Sequence, residues 1–218
     1  MARERGSKAA KPKAPEIKLP KGRLMNSALF VKDQYDAKST PRYLVEVCFD
    51  KDDPEFNKVL DAILAQDGPL DILGIAGELD IDDGEVVSGI KDGDVKARKR
   101  EKDGKPGDGY KGKWIVTATT TFNKDGQDGP GGVTVFDEAV EPITAVNQQA
   151  IYNGCYVEVL CTLSKYTEEK TGNDAIKWYL GAVQKVDDGE RFAAAKDYST
   201  AFKPAGRAPV AGEGRRRR

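Results

Sequence analysis

A chain of 218 residues, 33% charged and 39% hydrophobic, holds apolar material for one good core and leaves generous polar loops. No run approaches the roughly 18 apolar residues of a membrane helix, and the N-terminus lacks the apolar centre of a signal peptide. The chain has no histidine, which removes the commonest general base and the commonest transition-metal ligand together.

Residues 1–21, rich in Lys, Ala and Pro without apolar periodicity, are expected to form a disordered basic arm. Arg23 to Val31 alternates well enough for a first strand, but both of its faces carry apolar residues and its inner face stays open. A polar loop with Tyr35 follows. Arg42 to Phe49 is the second strand, with Tyr43, Val45, Val47 and Phe49 on one face. The spacing then predicts a helix over 53–66: Asp53 is a good N-cap, Pro54 fits the first helical position, and Glu55 suits the positive end of the dipole. Phe56, Val59, Leu60, Ile63 and Leu64 form its apolar face, and Gly68-Pro69 ends it.

Asp80 to Glu85 invites comparison with a calcium loop but lacks the spacing and the distal glutamate, so an acidic surface loop is expected. Trp114 to Phe122 reads as a strand rich in β-branched residues. After a Gly/Asp turn, Val133 to Val140 and Ile143 to Val146 read as short edge strands broken by Pro142. Val157 to Tyr166 is a strong strand with Val157, Val159, Cys161 and Leu163 on one face, continuing the phase of Cys155. Ala175 to Val186 is the last, with Ile176, Trp178, Leu180 and Ala182 facing one way. Strands joined by turns, without a βαβ alternation, predict a small β-barrel flanked or plugged by one helix. The three cysteines, Cys48, Cys155 and Cys161, sit in apolar segments and are expected as buried reduced thiols.

Charge is strongly segregated. Residues 1–22 hold 7 basic and 2 acidic side chains, residues 200–218 hold 6 and 1, and the body between them holds 22 and 33. Within that acidic body, residues 96–113 carry 8 basic residues against 3 acidic ones. Its middle, Asp103 to Gly112, is a Gly/Pro loop, and the whole reads as a cationic loop feeding the strand at Trp114, with two readings: a solvated hairpin, or a cationic groove that follows a phosphate backbone while bases stack on rings. In the second reading Lys96, Arg98, Lys99, Arg100, Lys111 and Lys113 contact phosphates, joined by Arg42. The candidate stacking rings are Tyr110, Trp114, Tyr152 and Tyr35. Trp114 shares a strand face with Val116 and Ala118, so a core role stands beside the ligand role, whereas Trp178 is assigned to the core.

Three segments, Lys21-Gly-Arg-Leu-Met-Asn-Ser-Ala-Leu-Phe30, Tyr152-Asn-Gly-Cys-Tyr156 and Val183-Gln-Lys-Val-Asp-Asp-Gly-Glu-Arg191, resemble a family of phage-encoded single-stranded-DNA-binding proteins in their order and spacing. The family was formerly a domain of unknown function. The resemblance implies a mainly β, OB-fold-type small barrel with one inserted helix over residues 22–192, long polar loops, and loose basic termini at 1–21 and 193–218. It implies non-sequence-specific binding of single-stranded DNA in phage replication, recombination and repair, in the cytoplasm of the infected host. Phage or host replisome proteins are implied partners, and no catalysis, cofactor or metal is implied. The acidic tail by which many such proteins recruit partners is not matched, because the chain ends in Arg215 to Arg218. Those arginines, with the N-terminal arm, extend the expectation to double-stranded DNA. The alternative from another class is a metal-dependent nuclease using the acids at Asp80 to Glu85 or Asp187 to Glu190. Metal-dependent hydrolysis needs carboxylates converging from rigid strands, and these lie in Gly-containing turns.

Overall fold

The computed structural model of the chain describes residues 15–73, 89–167, 172 and 174–192. Asp80 to Glu85 and most of both basic arms lie outside the described residues. The first strand, β1 (Glu16–Asp33), is long because it serves two neighbours. Its first half pairs antiparallel with β6 (Tyr156–Thr167), and its second half with β2 (Arg42–Asp50). Register shifts between Leu19 and Gly22, and between Leu24 and Asn26, bend it from one partner to the other. These shifts answer the open question about its inner face. Leu19, Leu24 and Leu29 enter the main core, while Met25 joins a smaller cluster elsewhere. A Cβ on Gly22 would lie 2.4 Å from the Phe49 ring, so glycine is what lets β1 cross β2 so closely. Glu16 to Lys21, expected in the arm, are already strand.

β2 alternates as expected. Tyr43, Val45, Val47 and Phe49 are at most 2% exposed, which leaves Arg42, Leu44, Glu46 and Cys48 on the opposite phase. Helix α1 (Pro54–Leu64) follows, with Asp53 accepting from the Glu55 N–H at 2.9 Å and Pro54 in the first turn. Phe56, Leu60 and Ile63 are its buried face, and the Phe56 ring stacks on Phe49 at 4.1 Å between centroids. Leu64, expected on that face, is 43% exposed. A short helix, α2 (Pro69–Ile72), comes after Gly68.

Barrel closure falls to β4 (Lys113–Thr120) and β7 (Asp174–Asp187). β4 pairs antiparallel with β2 along its whole length, from Tyr43 opposite Thr120 to Asp50 opposite Lys113. Its other edge takes the short β3 (Ile90–Asp92) and then, in parallel, β7 at Ala118 opposite Trp178 and Thr119 opposite Tyr179. β7 pairs antiparallel with β6, and β6 returns to β1. The order β1-β2-β4-β7-β6, closed on β1, is a mainly β five-stranded barrel of the OB type. β5 (Thr134–Phe136) adds a parallel edge on β7. It is shorter than the expected strand from Val133 to Val140, and Ile143 to Val146 is not a strand at all. Pro142 makes one bridge to Phe136, and Thr144 to Ala150 continues as turns and a single 3-10 turn.

Two further corrections concern the core and the cationic stretch. A register shift between Leu160 and Cys161 changes the phase of β7 after Leu180, so Val183 (1% exposed) points inward rather than Ala182. Residues expected in a loop form helix α3 (Gly93–Lys102), capped by the Asp92 carboxylate on the Asp94 N–H at 2.7 Å. Lys, Arg and Glu are strong helix formers, and Lys99, Arg100 and Lys102 suit the negative end of the helix dipole. Apolar periodicity could not show this helix, because only Gly93 and Ala97 are buried. A Cβ on Gly93 would lie 2.1 Å from the Tyr110 carbonyl oxygen, so the helix starts in direct contact with the segment leading to β4.

Candidate nucleic-acid interface

The outward phases of three barrel strands meet in one row: Leu44 of β2 opposite Thr119 of β4, and Thr119 opposite Tyr179 of β7. One end of this outer surface is covered. There α3 and the Asp108–Tyr110 turn pack Ala97 and Tyr110 onto Met25, Cys48 and Ile115. The other end is open, forming a cleft of about 620 Å³ floored by Leu44, Thr117 and Thr119 and edged by Arg42, Tyr166, Lys177 and Tyr179. Tyr166 is 48% exposed, and the Lys177 ammonium lies over the Tyr179 ring at 4.6 Å. A second cleft of about 500 Å³ runs along α3, lined by Tyr35, Lys91, Val95, Lys96, Lys99, Arg100 and Lys105, with Asp92 and Asp103. Lys91 lines both clefts, so they adjoin there, and together they set a cationic wall beside a threonine-bearing floor edged by tyrosines, called the groove below.

Five of the residues singled out in the sequence come together here: Tyr35, Arg42, Lys96, Lys99 and Arg100. Tyr35 is 88% exposed on the loop between β1 and β2, where Asp36 and Ser39 tie the turn through the Ser39 N–H and the Asp36 carboxylate at 2.7 Å. Arg98 is exposed on α3 but lines neither cleft.

The other candidates are occupied elsewhere. Tyr110, expected as an exposed ring, is 7% exposed; its hydroxyl donates to Glu46 Oε1 at 3.0 Å, and Lys96 and Arg100 lie over its ring. Burial and the neighbouring Glu46 push its phenol up from the ordinary value, so it remains a donor. The polar composition around it concealed that helix α3 folds over it. Lys111 pairs with Glu101 and Asp108 at 2.8 Å each, and Lys113 pairs with Asp50. Trp114 packs against the main core, with the Lys51 ammonium 4.7 Å from its ring. Tyr152 also packs there, its hydroxyl donating to Asp188 at 2.9 Å and its ring covered by Arg191 at 3.7 Å. Trp178 is core, as assigned.

Sequence reasoning overlooked Lys91, Lys105, Tyr166, Lys177 and Tyr179. The signal was present for two of them: if Ile176, Trp178 and Leu180 face inward, Lys177 and Tyr179 must face outward.

Electrostatics divides the wall. Among the described residues Lys91, Lys99 and Lys105 have no carboxylate within ion-pair distance, whereas Lys96 is paired with Glu46. Asp92 and Asp94 are turned to Lys51 at 3.0 and 2.7 Å. The hydrogen bond from Lys51, then that from the Gly112 N–H, holds the Asp94 carboxyl below its usual range. Two of the acids of the nuclease alternative are likewise occupied, Asp187 by Lys21 at 2.7 Å and Asp188 by Lys185 at 2.7 Å. The three thiols are buried, and burial raises that of Cys161 to about 12, so none is a nucleophile at neutral pH.

Chemically, an OB-type barrel with unpaired ammonium groups along one wall and tyrosines at the edge of the floor can hold phosphates on one side and flat rings on the other. The family model described as Enterobacter phage Enc34, ssDNA-binding protein, matches residues 15–210, and the chain belongs to this family. Among solved structures it is similar to the single-stranded DNA-binding protein from bacteriophage Enc34 with a C-terminal truncation, at 20% identity over 85% of this chain and 95% of that one, TM-score 0.59. It is similar to the same phage protein in complex with ssDNA, at 21% identity over 86% and 97%, TM-score 0.55. It also resembles gp2.5, a single-stranded DNA binding protein encoded by bacteriophage T7, at 13% identity over 89% and 98%, TM-score 0.50. At these identities the structural likenesses establish the fold. No curated protein matches the sequence at a significant level.

Proposed function

We propose that the groove binds single-stranded DNA without reading its sequence, as a non-catalytic coat for phage DNA during replication, recombination and repair in the host cytoplasm. The observation that carries this reading is the junction of the two clefts at Lys91, which puts unpaired cations and exposed tyrosines along one path on the barrel. Family membership and a structural neighbour solved with ssDNA support it. Phosphates would lie against Lys91, Lys99 and Lys105, where contact fixes position and carries no sequence information. Bases would lie against Tyr166, Tyr179 and Tyr35, because every base has a flat face to stack.

A fluorescence titration with poly(dT) at several salt concentrations tests the reading. Each phosphate neutralised on a single strand contributes roughly -0.7 to the slope of log K against log salt. Lys91→Met and Lys99→Met should each flatten the slope by about 0.7 and weaken binding to all sequences alike. Unchanged slopes in both variants would remove the groove from the account. The same titration with duplex of equal length addresses the basic arms. Since β1 starts at Glu16, the variant to use lacks residues 1–14 and 200–218. Loss of duplex binding with single-strand binding kept assigns duplex affinity to the arms; its survival denies it to them.

A further inference from the structure

We propose that Glu46 sets the affinity of the groove: its carboxylate holds Lys96 as a phosphate would, and so keeps that cation from the DNA backbone. The inference rests on the single-stranded-DNA reading of the groove and adds a residue that restrains it. Glu46 belongs to the outward phase of β2, next to Leu44 of the groove floor and opposite Thr117, which also lines the floor. Its Oε2 lies 2.5 Å from Lys96 Nζ, and its Oε1 accepts from the Tyr110 hydroxyl at 3.0 Å.

The carboxylate is therefore held at both oxygens. Tyr110 cannot easily let go, because its ring is packed with Met25, Cys48, Ala97 and Ile115. Lys96 is held a second time, its ammonium lying 4.5 Å from the centre of the Tyr110 ring. The Glu46 side chain is 13% exposed and that of Lys96 30%, so water screens this pair less than it screens a surface pair. A DNA phosphate would have to displace a fixed, partly buried carboxylate to reach Lys96. It meets no such competitor at Lys91 or Lys99. The acids at the start of α3, Asp92 and Asp94, do not restrain the wall in this way, because both are turned to Lys51.

The test is a set of salt titrations with poly(dT) on the full chain. Glu46→Gln keeps the shape and can still accept from Tyr110, but it no longer offers Lys96 a charge. Freed, Lys96 should neutralise one more phosphate: the slope of log K against log salt steepens by about 0.7, and affinity rises about fivefold at 0.1 M salt. Lys96→Met should leave the slope unchanged, since Lys96 neutralises no phosphate in the native protein, while the unpaired carboxylate weakens binding. The double variant E46Q/K96M should return to within about twofold of the native affinity, because the two side chains act through each other.

An unaltered slope and affinity in E46Q, or a slope flattened by about 0.7 in Lys96→Met, overturns the proposal. Thermal melting accompanies each variant; if E46Q does not fold, the slope of Lys96→Met still decides. If Lys91→Met and Lys99→Met are also silent, the groove reading has failed. If they flatten the slope and E46Q does nothing, the restraint by Glu46 alone has failed.

Discussion

Tyr179→Ala is expected to weaken single-strand binding by about 1–3 kcal/mol, a factor of roughly 5 to 150 in affinity, with the salt slope unchanged. The ring stands on the outward phase of β7 beside Thr119 and is reached from the open cleft. Stacking a base on a tyrosine is not a counterion effect, so loss of the ring should move the intercept of the salt plot and leave its gradient alone. Tyr166→Ala should behave in the same way, since Tyr166 lines the same cleft. Tyr152→Ala should not, because its ring is covered by Arg191 and its hydroxyl is bound by Asp188. Circular dichroism and melting curves separate a lost contact from a lost fold. A normal affinity in both Tyr179→Ala and Tyr166→Ala would show that bases do not lie on this floor.

The second large effect concerns stability. Phe49→Ala should destabilise the protein by about 3–5 kcal/mol in a denaturant titration, as truncation of a fully buried aromatic does. Phe49 is 2% exposed, stacks on Phe56 at 4.1 Å with the rings 4° from parallel, and touches the strand crossing at Gly22. It couples α1 to the barrel at the point where β1 passes over β2, so the packing is lost on two sides at once. A cost below about 1 kcal/mol would mean that α1 is not anchored through this stack.

Much of this architecture was legible in the sequence. The strands at Arg42, Val157 and Ala175 were written in period-2 alternation, and α1 was announced by Asp53-Pro54 and its apolar face. What alternation could not show were the register shifts. They put Met25 in a separate cluster and exchanged Ala182 for Val183. Helix α3 escaped because it is held by polar contacts, among them Glu46 with Lys96 and the Asp92 cap, which leave no apolar period to read.

The candidate site was legible in part for a related reason. A run of lysines and arginines shows where cations are dense, but not which of them already face a carboxylate. Lys111 and Lys113 are paired, whereas Lys91, outside the dense run, is the residue shared by both clefts. Tyr110 illustrates the same limit for rings. Glycines and lysines around it read as an exposed tip, yet a helix folds over it.

On the proposed function, single-stranded DNA lies in the groove between α3 and β7. Photo-crosslinking of an oligonucleotide carrying 5-iodo-deoxyuridine, followed by mass spectrometry of the linked peptides, locates the bases directly. Crosslinks at Tyr35, Tyr166 or Tyr179 are the predicted result. Crosslinks confined to the other end of the β6–β7 ladder, at Tyr152 or Tyr156 and the turn through Asp188, would contradict it.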